Sequence, residues 1–208
     1  MEISGKTKVC CVIGDPVEHT LSPVIHNAAF KELGLDFVYL TFRVGREELR
    51  NAMVGVRSLN IHGVNVTMPH KSAVMRYLDE IDSTAKSIGA INTILNADGR
   101  LVGYITDGVG AVNALKENGV GLEGKKLLLL GAGGAGKAIA FHVAQELKEL
   151  RILNRTPRKA KELAEFLGKK FKKKVSGNSL SSKLVKKELE DADILINATS
   201  VGMHPDVN

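Results

Sequence analysis

The chain has 208 residues, a formal net charge of +6, and 44% hydrophobic and 25% charged residues. That is room for one large or two small domains and the composition of a globular protein, not of a disordered or fibrous one. There is no signal-peptide core at the N-terminus and no apolar run of membrane-spanning length, so no membrane partner is expected.

The first strand is read at Val9–Ile13. It holds both cysteines, Cys10 and Cys11. Neighbours on a strand point to opposite faces, so the two do not pair with each other, and they carry no metal spacing. A reducing, cytoplasmic setting is the simplest expectation. A helix is predicted from Ser22-Pro23 to Leu33, with Ser22 as N-cap, Pro23 at the first helical position and Gly34 as the stop. The preceding cluster, His19-Thr20-Leu21-Ser22-Pro23, has two readings. Thr20 and Ser22 could bind a carboxylate beside the helix start, or Ser22 is only a cap.

Further strands are read at Phe37–Phe42 and Gly63–Val66, with a helix at Glu47–Val56 between them. The third strand runs through Asn65 and Thr67 into Met68-Pro69-His70-Lys71. A lysine held by a stiff proline turn could act as acid or base. An ordinary exposed lysine is the alternative, and His70 reads as packing or solvated. Residues 71–88 read as mostly helical. Ala90–Leu95 and Leu101–Tyr104 form a hairpin around Asn96-Ala97-Asp98-Gly99-Arg100. Asn92 could bond a substrate hydroxyl, or is simply a strand-end residue. Asp107, in Thr106-Asp107-Gly108-Val109-Gly110, could face a cofactor, or caps the helix predicted at Gly110–Asn118.

The next segment is the most specific. A strand, Lys125–Leu130, runs into Gly131-Ala132-Gly133-Gly134-Ala135-Gly136 and a helix through Ala144. G-x-G-x-x-G between a strand and a helix is a dinucleotide site with a mechanism. Gly131 allows the turn, Gly133 lets backbone approach a pyrophosphate, and Gly136 allows close helix packing. The helix N-terminus offers N–H groups to phosphate. At the end of the following strand, Leu150–Leu153, an NAD site usually carries a carboxylate about 20 residues after the loop. Here stand Asn154, Arg155 and Thr156, with Arg158 and Lys159 one turn on. Guanidinium groups suit a 2′-phosphate, so the cofactor is read as NADP.

Downstream come a helix at Arg158–Lys170, a short strand near Val175, a helix at Ser182–Glu190 and a strand at Asp193–Ala198. Lys169, Lys170, Lys172, Lys173 and Lys174 read as a solvated helix end. No aromatic platform or binding motif accompanies them, so no nucleic-acid partner is expected. Alternating strands and helices give an α/β fold. The expected partition is an N-terminal α/β substrate domain, 1–108, and a Rossmann-like parallel-sheet NADP domain, 109–208. That sheet has only about four strands and an open edge, where parallel sheets are normally covered. The chain is therefore expected to be a C-terminally truncated polypeptide.

Seven motifs fall in order: Thr20-Leu21-Ser22-Pro23, Asn65-Val66-Thr67-x-Pro69-x-Lys71, Ala90-x-Asn92-Thr93, Thr106-Asp107-x-x-Gly110, Gly131-Ala132-Gly133-Gly134-Ala135, Asn154-Arg155-Thr156 and Asn197-Ala198-Thr199-Ser200-x-Gly202-Met203. Together they resemble shikimate dehydrogenase from Gly14 to Met203. The resemblance implies reversible NADPH-dependent reduction of 3-dehydroshikimate to shikimate, in aromatic amino-acid biosynthesis. It implies Lys71 and Asp107 as the catalytic pair, Lys71 donating the proton and Asp107 orienting it. Thr20 and Ser22 would hold the carboxylate, and Thr67 and Asn92, with Asn65 nearby, the ring hydroxyls. Gly131, Ala132, Gly133, Gly134, Ala135, Asn154, Arg155, Thr156 and Arg158 would hold NADP. A homodimer is compatible with the resemblance.

Thr20 replaces the family's commoner Ser, and a later substrate-facing Tyr and a Gln-bearing return helix have no counterpart. A quinate-accepting relative and a non-catalytic NADP-binding fragment are the alternatives. A glutamyl-tRNA reductase-like enzyme would also pair a glycine loop with Asn-Arg-Thr. It needs a catalytic Cys, whereas Cys10 and Cys11 lie within a strand.

Overall fold

The computed structural model describes residues 3–202. The chain divides into two compact units between Ile105 and Thr106. Asp107, expected in the first domain, therefore stands in the second unit. Met203, the last residue of the seventh motif, lies outside the described residues.

The first unit is a six-stranded mixed sheet in the order β2-β1-β3-β5-β6-β4. The strands β1 (Lys8–Gly14), β2 (Phe37–Arg43) and β3 (Gly63–Val66) are parallel, with Cys10 opposite both Tyr39 and Gly63, and Val12 opposite both Thr41 and Asn65. Their connections are α1 (Ser22–Glu32) and α2 (Leu49–Ser58). In α2 the buried residues Leu49, Met53 and Val56 recur at the spacing of one helical face. Helix α1 is entered differently from the expectation. Leu21 is the N-cap and makes no side-chain cap, and Ser22 is already helical. It is the Thr20 hydroxyl that accepts the Ser22 N–H, at 3.2 Å.

The stretch 71–88 is not mostly helical. It breaks into a 3₁₀ turn (Ala73–Tyr77), the two-residue β4 (Glu80–Ile81) and the short helix α3 (Ser83–Ile88). Asp82 causes the last transition: its Oδ1 caps α3 by accepting from Thr84 N and Ala85 N at 2.9 and 3.2 Å. The hairpin of β5 (Thr93–Ala97) and β6 (Arg100–Tyr104) follows. Its turn, Asp98-Gly99, has both φ angles positive, as a two-residue hairpin requires. Arg57 pins this hairpin to α2, donating to Asp79 Oδ2 at 2.7 Å and to the carbonyls of Gly99 and Tyr77.

The second unit is an all-parallel sheet in the order β10-β7-β8-β9. The chain passes through α4 (Asp107–Glu117), β7 (Lys126–Leu130), α5 (Gly134–Val143), β8 (Glu149–Asn154), α6 (Pro157–Phe171), β9 (Lys174–Ser179), α7 (Ser182–Leu189) and β10 (Ile194–Asn197). Leu127, Leu128 and Leu129 are all buried, as a strand covered on both faces demands. Ala160, Leu163, Ala164 and Leu167 form the buried stripe of α6.

The lysine run is not one solvated helix end. Lys169 and Lys170 close α6, Lys172 takes a left-handed cap at φ 53°, and Lys174 opens β9. Lys174 pairs with Glu149 at 2.9 Å. Glu149 belongs to an ionic cluster around Arg151, whose guanidinium also reaches Glu188 at 3.0 Å and Asp191 at 2.6 Å.

Candidate functional site

In the first unit, several polar residues singled out by sequence meet in two hydrogen-bonded groups. Successive strand residues alternate faces, so Tyr39 and Thr41 on β2 share a side with Gly63 and Asn65 on β3. The Tyr39 phenol reaches diagonally across β1 and donates to Asn65 Oδ1 at 2.5 Å. His26 of α1 stacks on the Tyr39 ring at 4.3 Å. Asn27, one residue on, holds the Tyr39 backbone through its amide, donating to the carbonyl at 3.0 Å and accepting the N–H at 2.8 Å. Burial pushes the phenol's pKa up, against a hydrogen bond from the Ser22 side chain that pulls it down.

Thr20 and Ser22 are brought together, the Thr20 hydroxyl donating to Ser22 Oγ at 3.0 Å. Asn65, Asn92 and Thr93 are brought together as well. Asn65 Nδ2 donates to the Asn92 carbonyl at 3.3 Å and to Thr93 Oγ1 at 3.4 Å, and Thr93 donates to Asn92 Oδ1 at 2.9 Å.

The turn carrying Lys71 is tied down on both sides. Thr67 N donates to Ile13 O at 3.0 Å, and Asp15 N to Met68 O at 2.9 Å. The Met68–Pro69 bond is cis. Beyond it, Ile91 N donates to Lys71 O at 2.8 Å and Ser72 Oγ to Gly89 O at 2.9 Å. Segments 65–72 and 89–93 are thus one hydrogen-bonded piece of backbone. His70 is a structural prop: it is 1% exposed, and its Nε2 meets Val44 O at 2.7 Å. A carbonyl only accepts, so Nε2 carries the proton.

In the second unit, Asp107 is the first residue of α4, after the N-cap Thr106. The glycine loop is built as its chemistry requires. Gly131 lies at φ 106°, which L side chains rarely adopt, and a Cβ on Gly136 would run into the Gly131 carbonyl. Helix α5 begins at Gly134, leaving first-turn N–H groups without intrahelical partners.

Asn154 does something the sequence does not reveal. Its Oδ1 accepts the Ala132 N–H at 3.0 Å and its Nδ2 donates to Thr156 O at 3.0 Å. It clasps the glycine loop to the β8–α6 turn. Arg155 and Thr156 on that turn and Arg158 in the first turn of α6 are exposed, and Arg158 lies 3.6 Å from Glu162. A turn that only glycine adopts without strain, a helix packed too closely for a Cβ and two exposed guanidinium groups nearby fit a phosphorylated dinucleotide.

Sequence reasoning missed Tyr39 and left Thr93 without a role. Tyr39 belongs to the site only through strand register, which no local pattern carries.

A parallel sheet with a glycine loop at a helix start, joined to a unit bearing a lysine turn and paired asparagines, defines a dinucleotide-dependent α/β enzyme. Residues 12–94 match the family profile "Shikimate dehydrogenase substrate binding domain" and residues 113–204 match "Shikimate / quinate 5-dehydrogenase". The NADP(+) shikimate dehydrogenase of Methanococcus maripaludis is 47% identical over 99% of this chain and 72% of its own length. A crystal structure of shikimate dehydrogenase in complex with NADP+ superposes with a TM-score of 0.90 at 45% identity, over 100% of this chain and 71% of that one. The Listeria monocytogenes enzyme, in complex with shikimate and NAD, gives 0.86 at 41% identity, over 100% and 73%. The chain belongs to the shikimate dehydrogenase family.

Proposed function

We propose that the protein is an NADP-dependent shikimate dehydrogenase, interconverting 3-dehydroshikimate and shikimate in the cytoplasm as a step toward the aromatic amino acids. Family membership supports the activity. The observation that carries the residue assignments is the single bonded piece of backbone, 65–72 with 89–93, that bears Asn65, Thr67, Lys71 and Asn92 together. The cytoplasmic setting rests on the two free cysteines, as a reducing compartment keeps them.

The first unit is assigned to the substrate and the second to NADP. Thr20 and Ser22 are assigned to the carboxylate, and Asn65, Thr67 and Asn92 to the ring hydroxyls. The glycine loop from Gly131 to Ala135 receives the pyrophosphate. Asn154, at the end of β8, holds the loop's shape through Ala132, while Arg155, Thr156 and Arg158 read the 2′-phosphate.

When bound, the cofactor supplies a hydride to the carbonyl carbon. Lys71, as an ammonium, polarises the carbonyl and gives its proton to the oxygen as the new C–H bond forms. Asp107, at the start of α4, is assigned as the second catalytic residue, as the family resemblance implies. In the reverse direction neutral Lys71 takes the hydroxyl proton.

Replacing Lys71 with methionine keeps the bulk and removes the proton. The Lys71→Met protein is expected to lose kcat by about 10²-fold or more with little change in KM, the mark of an interaction made in the transition state. Steady-state kinetics with shikimate and NADP+ measure this, and an unchanged kcat rules out the acid–base role.

A further inference from the structure

We propose that Tyr39 is a positioning residue for the substrate: its phenol holds Asn65 so that the amide oxygen is the end offered to a ring hydroxyl. This rests on reading the first unit as the shikimate site. Tyr39 is itself firmly held. Asn27 clasps its backbone, His26 stacks on its ring at 4.3 Å, and the residue is only 3% exposed. The sense of each hydrogen bond around it follows from two backbone groups. The Asn92 carbonyl only accepts, so Asn65 turns Nδ2 toward it, at 3.3 Å, and the second Nδ2 hydrogen goes to Thr93 Oγ1 at 3.4 Å. The oxygen of Asn65 then faces Tyr39 and takes the phenol's one proton at 2.5 Å. At the far end the Ser22 N–H only donates, and it goes to Thr20 Oγ1 at 3.2 Å. The Thr20 proton passes to Ser22 Oγ at 3.0 Å, and the Ser22 hydroxyl bonds the phenol oxygen.

Distances decide which bond orients Asn65. The two from Nδ2 lie beyond the ordinary range of N–H···O bonds, whereas the phenol bond is at the short end of its own range. Without the phenol, the amide is held by the two long bonds alone and is free to turn its nitrogen to where the substrate needs oxygen. An amide oxygen accepts two hydrogen bonds, so Asn65 Oδ1 takes a ring hydroxyl as well as the phenol. Burial pushes the phenol's pKa up, which keeps its proton in place. A bound carboxylate draws the Ser22 proton to itself, while the Tyr39 proton stays on Asn65. Loss of the phenol is therefore felt at Asn65.

Phenylalanine keeps the ring and its stacking on His26 and removes only the hydroxyl. The Tyr39→Phe protein is expected to show a KM for shikimate raised about tenfold, with kcat within about twofold, the factor that one lost hydrogen bond corresponds to. In an Asn65→Ala background the same change should move KM by less than about twofold, because the group it positions is gone. In ligand-free protein, nuclear Overhauser contacts from the Asn65 amide hydrogens to the Thr93 side chain should weaken in Tyr39→Phe. A Tyr39→Phe protein whose KM stays within twofold of the parent overturns the proposal, and so does the full loss repeated in the Asn65→Ala background. Should the parent protein neither bind nor oxidise shikimate, the functional reading falls. The amide contacts then decide the orienting role alone, and unweakened contacts in Tyr39→Phe overturn it.

Discussion

Asn154 stands where a carboxylate would read the ribose of NAD, and its side chain is oriented by Ala132 N–H and Thr156 O. In the proposed assignment, cofactor discrimination falls to the charged residues that follow, Arg155 foremost. Arg155→Ala is expected to raise the KM for NADP+ by 10-fold or more while moving that for NAD+ by less than about 3-fold, as loss of a charge-assisted phosphate contact requires. Equal losses for both cofactors would remove Arg155 from 2′-phosphate recognition. At this scale the sequence was legible where residue type alone fixes the backbone, as at Gly131, whose φ of 106° suits glycine alone, and at Gly136, where a Cβ would meet the Gly131 carbonyl. It was not legible where a side chain answers to a distant backbone group. Asn154 and Ala132 are 22 positions apart, and Tyr39 meets Asn65 26 positions away.

Among the elements, periodicity served well for the long ones. The α6 stripe and the continuous apolar run of β7 follow directly from burial on one face and on two. The stretch 71–88 misled because its apolar residues are spaced much as in a helix, while Asp82 caps a new helix and β4 docks beside β6. The start of α1 misled because Thr20, not Ser22, supplies the oxygen.

Two glycines give opposite forecasts from the same reasoning. Gly177 in β9 lies so close to α6 that a Cβ would meet the Ala160 carbonyl and its neighbouring backbone. Backbone cannot yield as a side-chain tip can, so Gly177→Ala should destabilise by about 1–3 kcal/mol. Gly110 sits inside α4 with open space around its Cβ position, so Gly110→Ala should stabilise by about 0.5–1 kcal/mol. Chemical denaturation of the two variants checks both, and the same sign for both would contradict this account of α6 and α4.

For the molecule as a whole, the ionic cluster at Arg151 contributes to the response to acid, alongside Glu18, Asp79, Glu165 and Asp193, whose carboxyls are also held down. Hydrogen bonding to Arg151 holds the Glu149 carboxyl below its usual 4.5. Lys126 and then Arg151 hold Asp191 down from 3.8 to about 2. A carboxylate whose folded pKa is depressed contributes stability that is complete above its unfolded value and is lost as pH falls through the folded one. Thermal melts should therefore show the midpoint falling from about pH 5 toward pH 2, and Asp191→Asn should blunt the fall. A midpoint flat across that range would leave the cluster without a stabilising role.

The two-unit α/β plan was visible from the alternation of strands and helices, because layer architecture follows from which faces are apolar. The order β2-β1-β3-β5-β6-β4 was not, because strand neighbours are chosen by tertiary packing. The central claim, that this chain joins an NADP unit to a shikimate unit worked by Lys71, is tested most directly by the absorbance of NADPH. Protein mixed with NADP+ and shikimate should form NADPH at a rate that depends on shikimate and is abolished in Lys71→Met. NADPH formation that is indifferent to shikimate, or equal in the Lys71→Met protein, would contradict it.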